Sequence, residues 1–364
     1  MDSRTAVDPE RVEAVCRAAA ARAAEAVPGR EFATFQCGSV LPRELRRAHP
    51  RAQAAWRQAV RAGLRPKLEA AWPGKRHDTV AADLFVDALP DALDADVRFA
   101  PLLVAGRYRK LARGIAQTVF HCRKCRGRPG GCDACGGTGL LVAESVEEFV
   151  RPAIQRAVEG TRSAFHGAGR EDVDVRMLGN GRPFVVSVES PVRRSIDPDA
   201  VARAVETASG GRVVVEGLRV VHRAEMKRVT TEHGRKTYRA TVETSAEAGF
   251  PADAAERVRA LVGAVLSQRT PHRVDARRAD LVRKRTVLEA AVEESGPRRL
   301  VLVLRTDPGT YVKELVTGDE GRTVPSVAGL LGVPCVCTEL DVLAVGDDAE
   351  PATAAAPEPG AHES

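Results

Sequence analysis

The sequence predicts an α+β protein with a mixed or antiparallel sheet, and three observations support this prediction. Strand-like and helix-like segments interleave irregularly, whereas a doubly wound sheet needs strict alternation. The chain has 364 residues, of which 44% are hydrophobic, enough for two or three units with their own cores. The sequence has no Walker A loop, dinucleotide-binding glycine fingerprint or HExxH motif, which argues against nucleotide hydrolysis, dinucleotide redox chemistry and zinc proteolysis.

The first hundred residues predict an α+β unit without a catalytic signature. Ala, Val and Leu recur among Arg and Glu over residues 9–27 and 43–71, which predicts two helices. Strand or mixed segments follow in VAADLFVDA and APLLVAGRY. The N-terminus is acidic and lacks the apolar core of a signal peptide, and no apolar run is long enough to span a bilayer. We therefore expect a soluble, cytoplasmic protein with no membrane partner.

Four of the eight cysteines occur in HCRKCRGRPGGCDACGGTG, residues 121–139. Two CxxC pairs separated by six residues place four thiolates on two tight turns, as a tetrahedral zinc site requires. The predicted ligands are Cys122, Cys125, Cys132 and Cys135. We expect this zinc to be structural, because four sulfur ligands leave no open position for a substrate. A pair of redox dithiols is the alternative.

The second half of the chain predicts a larger unit. Ser145 and Glu148 form a capping box that begins the helix SVEEFVRPAIQRAVEG. Strand-like segments then alternate irregularly with two helical ones: RPFVVSVESP, DPDAVARAVETA (helical), GRVVVEGLRVV, KTYRATVET, ADAAERVRALVGAVL (helical), RRLVLVLRT and CVCTELDVLAV. Residues 346–364 contain five acids and no Lys or Arg, and are rich in Ala and Pro, which predicts a disordered tail.

The charge distribution favours a nucleic acid as partner. The net charge is +6, and without the five acids of the tail, residues 1–345 carry +11. Residues 106–131 contain eight Lys or Arg and no acid, and residues 268–286 contain seven against two acids. One such run is often only a solvated surface, whereas two in one chain favour RNA or DNA.

Three stretches carry residues suited to catalysis. In GREDVDVRMLGNGRP, residues 169–183, Asp172 follows Arg170 in a GRxD arrangement. Tyr238 lies in KTYRATV, and Tyr311 and Lys313 lie in PGTYVKELV at the start of a predicted helix. A carboxylate can act as nucleophile or base, an aromatic ring can stack on a flipped base, and a cation can hold the carboxylate ionised. From spacing alone, surface ion pairs and a core tyrosine explain the same residues.

Together these motifs resemble the archaeal tRNA pseudouridine synthase family that modifies uridines 54 and 55, the Pus10 family. The resemblance covers residues 100–345 and rests on these motifs: GRYRKLARGIAQT, the two CxxC pairs, ESVEEFV, FHGAGREDVDVRMLGNGRPFVV, KTYRATV and GTYVKELVTGDEGRTVPSVAGLLG. It implies a pseudouridine synthase catalytic core and an N-terminal THUMP-like RNA-binding domain. We accordingly predict an accessory domain at 1–118, a zinc knuckle joint at 119–144, a catalytic domain at 145–345 and a tail at 346–364.

The resemblance also implies a role for each candidate residue. Asp172 is the expected catalytic aspartate, with Asp174 as the other possibility, and Lys313 is the basic residue expected to pair with it. Tyr238 is expected to stack on the target base. Tyr311 and Arg170 are expected to help bind the uridine. We expect Asp172 to face the pocket within ion-pair reach of Lys313, and Asp174 to point elsewhere and serve the loop.

The implied reaction is an isomerisation without a catalytic cofactor on the T arm of tRNA. The oligomeric state stays open, and a monomer is our default expectation for an enzyme whose partner is a whole tRNA. Which of the two uridines is modified depends on loops around the pocket and stays open. The alternative is a zinc-knuckle tRNA-binding protein or chaperone with an inactive synthase domain. That alternative predicts no cluster of Asp172, Tyr238, Tyr311 and Lys313. A methyltransferase or thiolase is disfavoured, because the sequence lacks the expected glycine-rich cofactor loop or reactive cysteine motif.

Overall fold

The computed structural model describes residues 7–128, 130–231, 234–277 and 279–346, with only the backbone of residues 276 and 277. These residues form two units, each with its own hydrophobic core. The predicted acidic tail lies outside the described residues, apart from Gly346. Among the helices of the described ranges, none is both long and apolar enough to cross a membrane.

The N-terminal unit is a four-stranded sheet packed against two helices. In chain order its elements are α1 (Pro9–Ala26), β1 (Thr34–Ser39), α2 (Pro50–Ala71), β2 (Arg76–His77), β3 (Leu84–Leu89) and β4 (Asp94–Phe99). The strand order is β2-β1-β3-β4, with β1 parallel to β2 and β3, and β3 antiparallel to β4. Trp56 and Leu64 of α2 pack with Val15 of α1 and Val86 of β3 in its core. Its THUMP-like identity stays a prediction.

Capping residues and proline determine where the two N-terminal helices begin. The Asp8 side chain accepts a hydrogen bond from the Glu10 N–H at 3.0 Å and starts α1. The helix predicted over 43–71 begins only at Pro50, which corrects that prediction. Because proline lacks an N–H and fits the first turn of a helix, the preceding chain forms a separate 3-10 turn, Arg43–Leu45.

The larger unit is built on a ten-stranded sheet. Its elements are β5 (Leu102–Lys110), α3 (Val146–Ala157), β6 (Arg162–Gly167), β7 (Val175–Glu189), α4 (Pro198–Ser209), β8 (Val213–Val221), α5 (Arg223–Thr231), β9 (Lys236–Glu243), α6 (Ala254–Arg259), β10 (Val265–Arg269), β11 (Val282–Ser295), β12 (Arg299–Thr306), α7 (Val312–Thr317), β13 (Thr323–Val324), α8 (Val327–Leu331) and β14 (Val336–Val345). The strand order is β13-β10-β11-β12-β9-β14-β7-β5-β8, with β6 paired to β7. Of the pairs described, β7 and β14 are parallel and the others antiparallel. The α+β class with a mixed sheet is thus confirmed.

The position of β5 moves the boundary between the units. β5 pairs with β7 on one side and β8 on the other, and its Leu102 and Val104 are buried in the larger core. It therefore belongs to the larger unit and not to an accessory domain of residues 1–118. The cysteine-rich stretch 119–144 lies between β5 and α3, so it is an insertion within the larger unit rather than a joint between two domains.

Polar contacts attach the N-terminal unit to the loop that follows β7. The Glu31 N–H donates to the Val192 carbonyl at 2.8 Å, and the Glu31 carboxylate accepts from the Arg194 N–H at 2.7 Å. The Arg194 guanidinium forms an ion pair with Asp83 at 2.9 Å and donates to the Ala100 carbonyl at 2.9 Å. The link between the units therefore includes the partly buried Arg194.

Candidate active site and metal centre

A cleft of about 770 Å³ opens on the larger sheet. Its walls come from the loop before β7, from β7, β9, β11 and β14, from the segment between β12 and α7, from the start of α7, and from the β10–β11 connection. All five residues that the sequence assigned to catalysis or substrate binding line this cleft: Asp172, Lys313, Tyr238, Tyr311 and Arg170. The fold thus brings residues of three distant motifs into one cavity.

Two glycines allow the stretch around Asp172 to fold tightly. Gly169 has a φ of +77°, and a Cβ there would lie 3.1 Å from Arg182 Nη1. Gly179, within β7, has a φ of +55°, and a Cβ there would lie 1.6 Å from the carbonyl oxygen of Leu343 on β14. Only glycine permits this close approach of two strands. The chain before and within β7 can therefore bring its charged side chains to the cleft.

A buried polar network lies at the base of the cleft, and we call Glu171, Arg182, Tyr108 and Gln117 the floor network. The Glu171 carboxylate lies 2.7 Å from Arg182 Nε and accepts hydrogen bonds from the Tyr108 hydroxyl at 2.8 and 2.9 Å. Gln117 Nε2 donates to the Tyr108 oxygen at 2.8 Å. Burial raises the pKa of Tyr108 well above its usual value, which keeps the hydroxyl a hydrogen-bond donor.

Four charged side chains at the open side of the cleft form what we call the rim cluster: Asp172, Asp174, Arg273 and Lys313. Arg273 Nη1 donates to Asp172 Oδ2 at 2.8 Å. Lys313 Nζ donates to Asp174 Oδ2 at 2.5 Å and lies 3.9 Å from Asp172 Oδ2. Burial opposes ionisation of Asp174, but the Lys313 ammonium outweighs it and lowers the pKa of that carboxyl. The expectation that Asp174 points away from Lys313 is therefore wrong.

Arg273 is the nearest cationic partner of Asp172, a position that the prediction gave to Lys313. It lies in a short 3-10 helix, His272–Arg277, between β10 and β11. Its Nε donates to Glu314 Oε1 at 2.5 Å, and its guanidinium lies 5.9 Å from the centre of the Tyr311 ring. Because the Glu314 side chain is only 6% exposed, this carboxylate anchors Arg273 from the protein interior.

The two predicted tyrosines are held in different ways. Tyr238 lies in β9, between β12 and β14, and burial raises its pKa to about 12 despite the nearby Arg182, so the ring stays neutral. Tyr311 precedes α7, and the buried Gln268 amide holds its backbone. Gln268 Oε1 accepts from the Tyr311 N–H at 2.8 Å, and Nε2 donates to the Tyr311 carbonyl at 3.0 Å. Strand pairing therefore positions Tyr238, whereas the Gln268 side chain positions Tyr311.

Cations outnumber carboxylates in the lining of the cleft. The cations are Arg170, Arg182, Lys236, Arg273, Arg283, Arg285 and Lys313, and the carboxylates are Glu171, Asp172 and Asp307. The Arg170 guanidinium lies 5.2 Å from the centre of the Phe120 ring, which orients it at the cleft edge. Three of the cations belong to the predicted basic run 268–286, of which Arg278 lies outside the described residues. Such a lining suits a phosphate-rich ligand.

The two CxxC pairs form a cluster that can hold a metal ion. The Sγ atoms of Cys122, Cys125, Cys132 and Cys135 lie within 4.8 Å of one another, with three separations of 3.8, 3.9 and 3.8 Å. Tetrahedral bonds of about 2.3 Å separate the sulfurs by about 3.8 Å. Burial opposes ionisation of Cys135, but N–H donors of Cys132 and Gly139 lower its pKa to about 6. The donors therefore fit a structural metal.

Sequence comparison identifies the family of this chain. The family described as Pus10, C-terminal, matches residues 103–346. A tRNA pseudouridine synthase Pus10 from Halorubrum lacusprofundi is 42% identical over 349 residues, which cover 91% of this chain and 81% of the relative. The chain belongs to the Pus10 family. Its Pus10 relatives are named as synthases, which confirms the sequence prediction of the family and of an isomerase.

Other Pus10 relatives are covered less fully. The protein of Methanothrix thermoacetophila is 43% identical over 282 residues, 77% of this chain and 61% of the relative. That of Methanocaldococcus jannaschii is 40% identical over 274 residues, 75% of this chain and 59% of the relative. A solved Cbf5-Nop10-Gar1 complex matches at 15% identity with a TM-score of 0.33, covering 65% of this chain and 61% of that chain. The family assignment therefore rests on sequence.

Several residues that shape the cleft were not predicted individually: Glu171, Arg182, Arg273, Glu314 and Lys236. Glu171 and Arg182 lie within GREDVDVRMLGNGRP, but the residue types do not show which of three acids is buried. Arg273 lies within a basic run whose members look alike in sequence. Lys236 could have been predicted from the sequence, because it precedes Tyr238 by two residues and side chains two apart in a strand share a face.

Proposed function

We propose that this chain converts uridine to pseudouridine in the T arm of tRNA, at position 54, position 55 or both, with Asp172 as the catalytic aspartate. The observation that carries the proposal is that Asp172 lines the cleft together with Tyr238, and has Arg273 and Lys313 at 2.8 and 3.9 Å from its carboxylate. The clustering of these residues favours an enzyme over an RNA-binding protein with an inactive domain. The names of the relatives support tRNA as substrate.

The proposed chemistry rearranges one bond and consumes nothing. The target uridine leaves its stack and enters the cleft, where Tyr238 stacks on the base. The bond between N1 and C1′ breaks, the uracil turns, and C5 bonds to C1′. Asp172 acts at the reacting sugar or base, beside the Arg273 and Lys313 cations. Because Arg273 contacts Asp172 directly, part of this ion pair has to give way when the nucleotide enters.

Mass mapping of pseudouridine in an unmodified tRNA transcript tests this proposal. We expect pseudouridine at position 54, 55 or both after incubation with the protein. A transcript with cytidine at both positions is the control and is expected to gain none in the T arm. If the protein binds the transcript but leaves every uridine unchanged, the chain is an RNA-binding protein and the catalytic proposal is wrong.

We also propose that the cysteine cluster holds one zinc ion with a structural role. Zinc suits four thiolates in tetrahedral arrangement, and it would hold both turns of the insertion together. Elemental analysis is expected to give about one zinc per chain. Cys132→Ser is expected to lose the metal, unfold the insertion locally and weaken tRNA binding, while the cleft stays largely formed.

The control for this experiment is Cys337→Ser, which removes a cysteine outside the cluster. It is expected to keep the zinc content of the unsubstituted protein, because the Cys337 sulfur contacts the Glu339 carbonyl and no other cysteine of the described residues. A purified protein that is folded and active without any metal would contradict the zinc proposal.

A further inference from the structure

Lys236 is a cation that lines the cleft. It lies at the start of β9, and its ammonium donates a hydrogen bond to the Gly234 carbonyl at 3.2 Å. Among the residues that the structure describes, no carboxylate lies within ion-pair distance of this ammonium. Its side chain nevertheless lines the cleft, as that of Tyr238 does. The two residues are two positions apart on one strand and so share a face of the sheet.

The neighbours of Lys236 do not neutralise its charge. In the sheet it pairs with Thr306 of β12 and with Val345 of β14, neither of which is charged. The charged residue that acts on it is Arg182 of β7, another cation. Burial and, to a smaller extent, Arg182 lower the pKa of Lys236 to about 8.

The three carboxylates of the cleft contact other groups. Asp307 follows Thr306, but its carboxylate accepts a hydrogen bond from the Thr286 N–H at 2.8 Å. Glu171 is paired to Arg182 at 2.7 Å. Asp172 is held by Arg273 at 2.8 Å. None of the carboxylates that the structure describes therefore serves as a counterion for Lys236.

A partly buried ammonium beside a guanidinium costs free energy, because both burial and like charge disfavour its ionised form. Arrangements of this kind occur at functional sites, where a ligand supplies the missing negative charge. Under the proposed function, the ligand group next to Tyr238 is the uracil base. A uracil ring offers two carbonyl oxygens as hydrogen-bond acceptors.

We infer that Lys236 is a catalytic residue that donates a hydrogen bond to a carbonyl oxygen of the target uracil and stabilises the negative charge of the departing base. This inference rests on the proposed pseudouridine synthase function. In this arrangement Lys236 contacts the edge of the base, Tyr238 stacks on its face, and Asp172 acts at the reacting centre.

The charge that Lys236 stabilises arises when the glycosidic bond breaks. The electron pair of the N1–C1′ bond stays on the uracil, and its negative charge spreads over O2 and O4. After the ring turns, C5 uses an electron pair to bond to C1′, C5 loses its proton, and N1 gains one. Lys236 transfers no proton in this sequence, so nothing besides the uridine is consumed. Its hydrogen bond strengthens as charge develops, which lowers the barrier.

The first experiment compares Lys236→Met with the control Lys227→Met, which removes a lysine from the exposed helix α5. Binding affinity and single-turnover conversion of the tRNA transcript are measured for each. Removing one donor to a developing anion typically lowers the rate by about a hundredfold or more. We expect this loss for Lys236→Met with an affinity within about twofold of the unsubstituted protein. Lys227→Met is expected to match the unsubstituted protein in both measurements.

The second experiment uses the pH profile of kcat/KM, which reports groups of the free enzyme. Since the protonated form of Lys236 is required, activity is expected to fall as pH rises through about 8. Lys236→Arg keeps its charge at high pH and is expected to retain the plateau beyond that pH, at a lower absolute rate. Titration of the uridine itself is common to both proteins and cancels in the comparison. This comparison also decides the question if Lys236→Met fails to fold.

The outcomes separate this inference from the proposed function. If Lys236→Met weakens tRNA binding but turns over bound tRNA at the unsubstituted rate, Lys236 binds a phosphate and the inference is wrong. It is also wrong if Lys236→Arg and the unsubstituted protein share one pH profile. If the unsubstituted protein forms no pseudouridine at all, the proposed function itself fails.

Discussion

The floor network and the rim cluster each contain a carboxylate paired with an arginine, and they differ in exposure rather than in distance. Glu171 and Arg182 lie 2.7 Å apart with side chains 1% and 2% exposed. Asp172 and Arg273 lie 2.8 Å apart, and their side chains are 37% and 38% exposed, respectively. A buried pair that loses one partner leaves a charge out of water, whereas an exposed pair can exchange partners with solvent or ligand.

The comparison explains how two adjacent acids take different roles. Glu171 is enclosed by Tyr108 and Arg182, so it fixes the loop in place. Asp172, the next residue, faces the cleft and meets a side chain from the β10–β11 connection. The floor therefore provides rigidity, and the rim provides a carboxylate that a substrate can reach. Four substitutions test this division, beginning with the largest expected effect.

Asp172→Asn is expected to abolish pseudouridine formation. The substitution keeps the shape of the side chain but removes the charge of the carboxylate, so a loss of about 1000-fold or more in the single-turnover rate is expected. Affinity for tRNA should stay within about twofold, because the basic lining is unchanged. Rate and binding are measured on the same transcript. Substantial turnover by this variant would show that another residue is the catalytic aspartate.

Glu171→Ala is expected to affect stability more than any rim substitution. It leaves Arg182 buried without its carboxylate, which costs about 3–5 kcal/mol in the free energy of unfolding. Urea denaturation monitored on the larger unit provides the measurement. The matched control, Arg162→Ala, breaks the exposed pair with Glu189 and should leave the unfolding midpoint unchanged. Equal effects of the two substitutions would remove the distinction between floor and rim.

Arg273→Gln tests whether the rim orients the catalytic carboxylate. Loss of a hydrogen bond to a charged group typically costs about 1.5–3 kcal/mol, so the single-turnover rate is expected to fall about tenfold to a hundredfold. Arg269→Gln is the control, because it removes a charge from the same basic run but breaks a pair with Asp280 instead. If both variants lose only affinity, and by the same factor, Arg273 acts as one more phosphate contact.

Asp174→Asn is expected to have the smallest effect. Asp174 is 62% exposed, and its loss frees Lys313, which already lies 3.9 Å from Asp172 and can move to it. We expect the single-turnover rate to stay within about fivefold of the unsubstituted protein. The single-turnover rates of Asp174→Asn and Asp172→Asn are measured under the same conditions. A reversed order of the two effects would make Asp174 the catalytic aspartate.

Much of the site was predictable because its motifs are local. The resemblance pointed to Asp172, Lys313, Tyr238, Tyr311 and Arg170, and these residues do line one cleft. Their partners were not predictable, since Arg273 is about a hundred positions from Asp172 and belongs to a run of similar arginines. Lys313 was expected to pair with Asp172, but it contacts Asp174 more closely. Both acids lie near its ammonium, and the shape of the loop determines which one is closer.

The fold shows the same limit. Segment types followed from periodicity, but β5 was assigned to the wrong unit because a strand pattern does not name its partners. Strand pairing depends on segments far away in the chain, and here β5 pairs with β7 and β8. The cysteine-rich stretch is consequently an insertion of the larger unit, although its four cysteines lie together as the sequence indicates.

The sequence by itself determined the features whose causes lie within a few residues. The cap at α3 is one, since the Glu148 N–H donates to Ser145 Oγ at 3.3 Å and Ser145 Oγ donates to the Glu148 carboxylate at 2.7 Å. The cysteine cluster is another. Only the tertiary structure decided that Glu171 is buried, that Asp172 meets Arg273 and that Lys236 has no counterion among the described residues. The reason is physical: burial and ion pairing depend on which distant surfaces meet, and similar charged residues differ only in those surroundings.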